Sequence, residues 1–129
     1  MLFVCRAAAA LAACCLTFAA HAGSIEKSLL KLDPEERSHQ ACIIAGLDVL
    51  RHDPRLNGAD RLKTSIFSRA VLSGTSLTAK GGAVRARGRW YAVTFTCNLT
   101  PDLMKATSFK FKIGEEIPKT AWDRYGLWG

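Results

Sequence analysis

The sequence predicts an α+β fold, in which a capped helix packs on a mainly antiparallel β-sheet and a short helix closes the C-terminal end. Three observations predict it: a helix-start signal at Asp33, strand-like alternation from Asp60 onward, and one cysteine in each part, Cys42 and Cys97. A disulfide between these cysteines would hold the helix against the sheet.

Residues 1–22 have the pattern of a secretory signal peptide. Arg6 precedes a continuous apolar stretch, and Ala20 and Ala22 supply small residues at both recognition positions of the cleavage site. The stretch is shorter than the roughly 20 residues that a membrane-spanning helix needs. We therefore predict a periplasmic or secreted protein whose mature chain, residues 23–129, is one domain without a transmembrane segment. A lipoprotein-like box ending at Cys14 leaves a lipid anchor there as an alternative.

Cys42 and Cys97 are the two cysteines that remain after the leader is removed. An even pair in an exported chain predicts a disulfide. In the chain-entropy model, a bridge closing a loop of about 55 residues stabilises the fold by roughly 4 kcal/mol. Two separately buried thiols are the alternative.

A helix is predicted from Asp33 to about His52. Asp33 is a good N-cap, Pro34 suits the first helical position, and Glu36 can reach back to the cap. A short lead-in helix is predicted over residues 25–32. Within the longer helix, residues at spacings of three and four form one core-facing stripe: His39, Cys42, Ile43, Gly46, Leu47, Val49 and Leu50.

Strands are predicted next, in segments rich in β-branched and aromatic residues and separated by Gly, Ser or Pro. They cover residues 61–67, 76–79, 82–87, 90–98 and 105–113. Alternation places Cys97 on the core face, beneath the helix. In the last strand, Lys110 and Lys112 alternate with phenylalanines and are expected to point to solvent.

Three arginines fix the position of a hairpin. Arg85, Arg87 and Arg89 have the same parity as the core-facing Tyr91, so an unbroken strand would bury all three charges, which is prohibitively expensive. A tight turn at Arg87-Gly88 avoids this. It would pair Val84 with Tyr91 inside, and Arg85 with Trp90 outside as a cation–π contact.

The outer surface of this hairpin is the candidate recognition site, because arginines beside an aromatic residue are enriched in binding hot spots. A purely structural hairpin is the alternative. With the two outward lysines, the predicted partner-binding residues are Arg85, Arg87, Arg89, Trp90, Lys110 and Lys112.

The C-terminal residues are predicted to close the core. Pro118 can open a short helix, and Gly126 can end it in a left-handed cap that brings Leu127 back over Trp122.

Charge provides a hint about partners. Residues 61–112 contain ten basic residues and one acid, whereas the rest of the mature chain contains seven basic and ten acidic residues. Such a field favours an anionic partner in the cell envelope, namely a glycan, a lipid headgroup or an acidic protein. Nucleic acid is not expected for an exported chain, and a merely solvated basic face is the alternative. The sequence indicates no oligomeric state.

Catalytic motifs are absent from the mature sequence. It contains no His-Glu-x-x-His, Cys-x-x-Cys, nucleophile elbow or phosphate-binding glycine loop. His39 and Cys42 at helical spacing could supply two metal ligands, but no further ligand cluster accompanies them, and we expect no metal and no cofactor.

The leading hypothesis is a non-catalytic binding module. The alternatives are a small envelope enzyme or enzyme accessory without a recognisable motif, and an inhibitor that inserts the basic hairpin into an acidic cleft.

A set of motifs occurs in a fixed order over nearly the whole mature chain: Leu32-Asp33-Pro34-Glu35-Glu36-Arg37, Gln40, Cys42, Arg87-Gly88-Arg89-Trp90-Tyr91, Phe95, Cys97, Phe109, Ile113-Gly114, Ile117-Pro118, Trp122 and Gly126-Leu127. This order resembles the small exported alphaproteobacterial proteins grouped as domain of unknown function 930. The resemblance implies an envelope protein without an established activity, cofactor or catalytic residue.

Overall fold

A long helix lies on one face of a five-stranded antiparallel sheet in the computed structural model, which describes residues 23–129. The predicted α+β class is therefore confirmed. The chain divides into two units, Met1–Leu32 and Asp33–Gly129. In the first, residues 23–30 form helix α1, close to the predicted lead-in helix. The predicted signal peptide and the alternative anchor at Cys14 lie outside the described residues, so these and the domain boundary stay predictions.

Helix α2 (Pro34–Leu50) begins where the sequence places it. The Asp33 side chain accepts a hydrogen bond from the Glu36 backbone N–H at 3.0 Å, and Pro34 occupies the first turn. The helix ends two residues before the predicted His52. Its core-facing stripe is narrower than predicted, because Val49 is exposed.

The sheet is built from β1 (Ala59–Lys63), β2 (Val71–Ser73), β3 (Ser76–Ala86), β4 (Arg89–Leu99) and β5 (Ala106–Glu116). The strand order is β1-β3-β4-β5. Strand β2 pairs with the same edge of β3 as β1 does, β2 with residues 76–78 and β1 with residues 83–86. Two short helical turns complete the fold, η1 (Pro54–Leu56) after α2, and η2 (Lys119–Ala121) leading into α3 (Trp122–Tyr125).

Strand β3 is one continuous strand where the sequence predicts two. A register shift between Ala79 and Gly82 absorbs the glycine pair as a bulge. The loop that connects β1 to β2 passes close to this bulge, because the backbone N–H groups of Ile66 and Phe67 both donate to the Gly81 carbonyl at 2.8 Å. A Cβ on Gly81 would lie 2.3 Å from the Ser68 nitrogen, so a residue without a side chain is required there.

The main core lies between the sheet and α2. The Cys42–Cys97 disulfide is formed as predicted, with both residues fully buried and their Cα atoms 6.1 Å apart. The helix approaches the sheet closely at Gly46, where a Cβ would lie 2.7 Å from the Phe109 ring. The other buried apolar residues of this core include Ala41, Leu50, Leu56, Leu62, Leu77, Val84, Val93, Phe95 and Leu99.

A second, smaller core lies on the opposite face of the sheet. It is covered by the C-terminal clip, by which we mean residues 117–129. Gly126 adopts the predicted left-handed conformation (φ 64°), and the Leu127 N–H bonds to the Trp122 carbonyl at 2.9 Å. The residues of this second core are Ala83, Trp90, Ile117, Trp122 and Leu127, with Ile66, Ala121 and Tyr125 packed around them.

Candidate functional site

The predicted hairpin is formed, and its turn lies at Arg87-Gly88. Both residues have positive φ, 52° and 73°, as a two-residue type I′ turn requires. Val84 pairs with Tyr91 and Arg85 with Trp90, as the parity argument predicts. The Arg85 guanidinium carbon lies 5.9 Å from the centre of the Trp90 ring, so the expected cation–π contact is present.

The expected exposure of this hairpin face is wrong. Trp90 is fully buried and Arg85 is 9% exposed, because the C-terminal clip covers them. The Trp90 indole N–H donates to the Trp128 carbonyl at 2.8 Å, and Arg85 Nη1 donates to the same oxygen at 3.3 Å. Trp90 is therefore part of the second core, Arg85 is buried beside it, and neither side chain is presented to a partner.

Arg85 is also neutralised by a carboxylate that the sequence analysis did not assign to it. Its Nε and Nη2 atoms donate to the two carboxylate oxygens of Asp60 at 2.8 and 2.7 Å, which is a bidentate ion pair. Hydrogen bonds from Arg85 lower the pKa of Asp60. One side of the pair is nearly buried, since the side chains of Arg85 and Asp60 are 11% and 50% exposed.

The remaining predicted residues fall into two separate places. Arg87 and Arg89 are exposed at the hairpin tip, where Arg89 lies 3.7 Å from Glu116. Lys110 and Lys112 are exposed farther along the same face of the sheet. Lys112 pairs with Thr94 of β4. Thr94 lies four residues after Trp90 along this strand, a distance of about 14 Å. The six predicted residues therefore do not form one site.

The half of this face beyond the C-terminal clip carries a shallow, open depression of about 400 Å³. Directly paired residues share one face of a sheet. Thr96 pairs with Thr78 on one side and Lys110 on the other, while Thr94 pairs with Lys112. We name this depression the lysine–threonine groove after its polar lining residues, Thr78, Lys80, Thr94, Thr96, Lys110 and Lys112; Ala79, Phe95 and Phe111 also line it.

The groove is basic and contains no acidic lining residue. Its three lysines are exposed, and none forms an ion pair with another described residue. Lys80 is a residue that the sequence analysis missed. Its parity with Thr78 would have placed it beside Thr94, but the predicted break after Ala79 interrupted that pattern.

A second depression, of about 360 Å³, lies beside the start of α2. Here Nδ1 of His39 lies 2.7 Å from the Thr64 hydroxyl. A hydrogen bond of this kind joins a general base, here His39, to a hydroxyl nucleophile, here Thr64, in enzymes that use a base oriented by a third group. In the described part of the chain no hydrogen bond reaches the other nitrogen of His39, so no third group orients the ring. Acidic residues and Arg69 line the rest, and Arg69 lies 3.5 Å from Glu35.

His39 and Cys42, whose helical spacing could have supplied two metal ligands, do not do so together, because the Cys42 sulfur is in the disulfide. Among residues 23–129, no three His, Cys, Asp or Glu side chains lie together in a way that could hold a metal ion. In the same residues no helix combines the length and apolar character needed to cross a membrane.

Comparison with known proteins gives one match. The family described as Domain of Unknown Function (DUF930) matches residues 29–127. No curated protein and no solved structure matches the chain.

Proposed function

The chain belongs to the DUF930 family, and we propose that it is a non-catalytic binding module whose lysine–threonine groove takes up an anionic partner. The proposal keeps Lys110 and Lys112 of the predicted site and adds Lys80. It assigns the buried hairpin residues Arg85 and Trp90 a structural role.

The observation that carries the proposal is a contrast within the basic middle segment. Elsewhere in this segment three basic side chains are matched by acids, Arg85 by Asp60, Arg89 by Glu116 and Arg69 by Glu35, whereas Arg61, Lys63 and Arg87 form no ion pair with a described residue. In the groove, three lysines converge on one depression without an acid among its lining residues. Unmatched charge of one sign in a concave surface attracts ligands of the opposite sign.

We place this activity in the periplasm or outside the cell, after removal of residues 1–22. The Cys42–Cys97 disulfide supports this compartment, since disulfides persist in oxidising environments and are rare in the cytosol. The partner is then an anionic component of the envelope, for which a glycan, a lipid headgroup and an acidic protein are the available classes.

The test compares two triple variants that change the net charge equally. The first carries Lys80→Glu, Lys110→Glu and Lys112→Glu. The second reverses three exposed arginines outside the groove, Arg61, Arg87 and Arg124. The probes are polyglutamate, vesicles containing phosphatidylglycerol, and polygalacturonate. Thermal unfolding of each variant checks the fold, which exposed charges affect little.

We expect the wild-type protein to bind at least one probe, with an affinity that falls as salt rises, because exposed charges are screened over about 10 Å at 0.1 M. The groove variant should lose this binding, whereas the control variant should keep most of it. Equal losses in both variants would contradict a localised site, as would the absence of binding to all three probes.

A further inference from the structure

We infer that the lysine–threonine groove binds a linear acidic polysaccharide that lies extended along β4. This inference rests on the proposed function and names the ligand class of the same groove. It follows from the shape of the groove, from the groups that line it, and from what the groove does not offer to other polyanions.

The groove is shallow and open, with one strand as its floor and lysines along both sides, which we call its walls. Strand β4 forms the floor with Thr94 and Thr96, Lys80 of β3 stands on one side, and Lys110 and Lys112 of β5 stand on the other. Two strand spacings separate the walls, a backbone distance of about 10 Å. An extended ligand that lies on β4 would therefore have a lysine on either side of it.

The groove continues at one end and is limited at the other. Beyond Thr96 the polar surface continues into the row of Ser76, Asn98 and Ser108, which directly pair across the three strands. In the other direction the clip covers the row of Trp90. From Thr94 to Asn98 the floor is about 14 Å long, so a ligand longer than this must extend past the open end.

The lining groups match a hydroxyl-rich anion. Each threonine hydroxyl can both donate and accept a hydrogen bond, as sugar hydroxyls do. The hydroxyls of Thr78, Thr94 and Thr96 form no side-chain hydrogen bond with another described residue, whereas Asn98 Nδ2 already donates to Ser108 at 2.9 Å. The lysines supply point charges for carboxylate or sulfate groups. The floor and the walls thus recognise different parts of one acidic glycan.

Lipid surfaces, single-stranded nucleic acid and acidic proteins each need contacts that this groove does not supply. Binding to a lipid surface depends on buried apolar area as well as on attraction between opposite charges. The groove offers the charges, but the nearest exposed apolar side chain on the paired strands is the single Val71 of β2, opposite Thr78. Single-stranded nucleic acid requires aromatic stacking platforms, but the two aromatic lining residues, Phe95 and Phe111, pack against the main core. Protein partners are held mainly by Trp, Tyr and Arg anchors, and no such residue lines the groove.

Calorimetric titration with oligogalacturonates of increasing length tests the ligand class. Affinity should increase with length until the floor is filled and then level off. A neutral galactan of the same length should not bind. Lys80→Glu, Lys110→Glu and Lys112→Glu together should weaken binding by about tenfold or more, because three charge contacts are reversed.

A second variant distinguishes the glycan from a generic polyanion. Thr94→Val with Thr96→Val removes two hydroxyls at nearly unchanged shape and strand propensity. We expect it to weaken oligogalacturonate binding by about three- to tenfold without changing polyglutamate binding.

If polyglutamate or anionic vesicles bind the wild type as tightly as the oligogalacturonate, and the threonine variant binds all probes normally, the ligand class is wrong while the groove remains the binding site. Oligogalacturonate binding that survives the lysine reversals would overturn the inference. If no polyanion binds through the groove, both the inference and the proposed function fail.

Discussion

At the scale of single residues, Arg85 shows that the environment decides what a basic side chain does. Its guanidinium forms an ion pair with Asp60, donates a hydrogen bond to the Trp128 carbonyl and makes a cation–π contact with the Trp90 ring. The contacts with Asp60 and the Trp128 carbonyl satisfy a guanidinium that would be costly to bury unpaired next to the second core. Lys80, Lys110 and Lys112 have no such partners among the described residues, and this difference separates a structural charge from one available for binding.

The Arg85–Asp60 pair makes stability depend on pH in a defined direction. The folded-state pKa of Asp60 is lowered, so the ionised carboxylate contributes stability above its unfolded pKa of about 3.9, and this contribution is lost as pH falls through the folded value. Asp60→Asn should cost about 1–2 kcal/mol at neutral pH, a modest figure because Asp60 is half exposed. The difference from wild type should shrink below about pH 4.

Denaturant unfolding of both proteins between neutral pH and pH 3 measures this difference. Asp123→Asn, at an exposed acid without an ion pair in the described structure, is the matched control. A constant difference across the pH range would show that the Arg85–Asp60 pair is not responsible.

At the scale of elements, local sequence signals place most of the fold. The cap at Asp33 determines where α2 begins, and the parity of three arginines places the hairpin turn. Strand β2 has only three residues and could not be distinguished from a loop. The solvent exposure of Trp90 could not be read from β4 either, because residues about 30 positions later cover it. No local periodicity encodes that contact.

The disulfide is the main covalent link between α2 and β4. Cys97→Ala should reduce the free energy of unfolding by about 2–5 kcal/mol, because it removes the loop constraint and leaves Cys42 unpaired in the core. Denaturant midpoints of the variant and of wild type, with and without reductant, measure the loss. Wild type under reducing conditions should approach the variant. An unchanged midpoint in Cys97→Ala would mean that the link contributes nothing to stability.

At the scale of the whole molecule, the two faces of the sheet differ in how much of each is covered. One face is closed by α2, and half of the other is closed by the C-terminal clip. The uncovered half is then the surface where β3, β4 and β5 bring together lysines that are about 30 residues apart in the chain. Alternation alone predicted that Lys110 and Lys112 are exposed. Their meeting with Lys80 depended on strand order, which composition and charge do not specify.

The most direct test of the account maps the ligand onto the sheet. Amide chemical shifts of ¹⁵N-labelled wild-type protein would be followed during titration with an oligogalacturonate. We expect the largest changes at residues 78–80, 94–96 and 110–112, with little change at the buried Arg85 and Trp90. Changes centred on residues 85–90, or none at ligand concentrations that saturate binding, would contradict the claim that the lysine–threonine groove is the binding site.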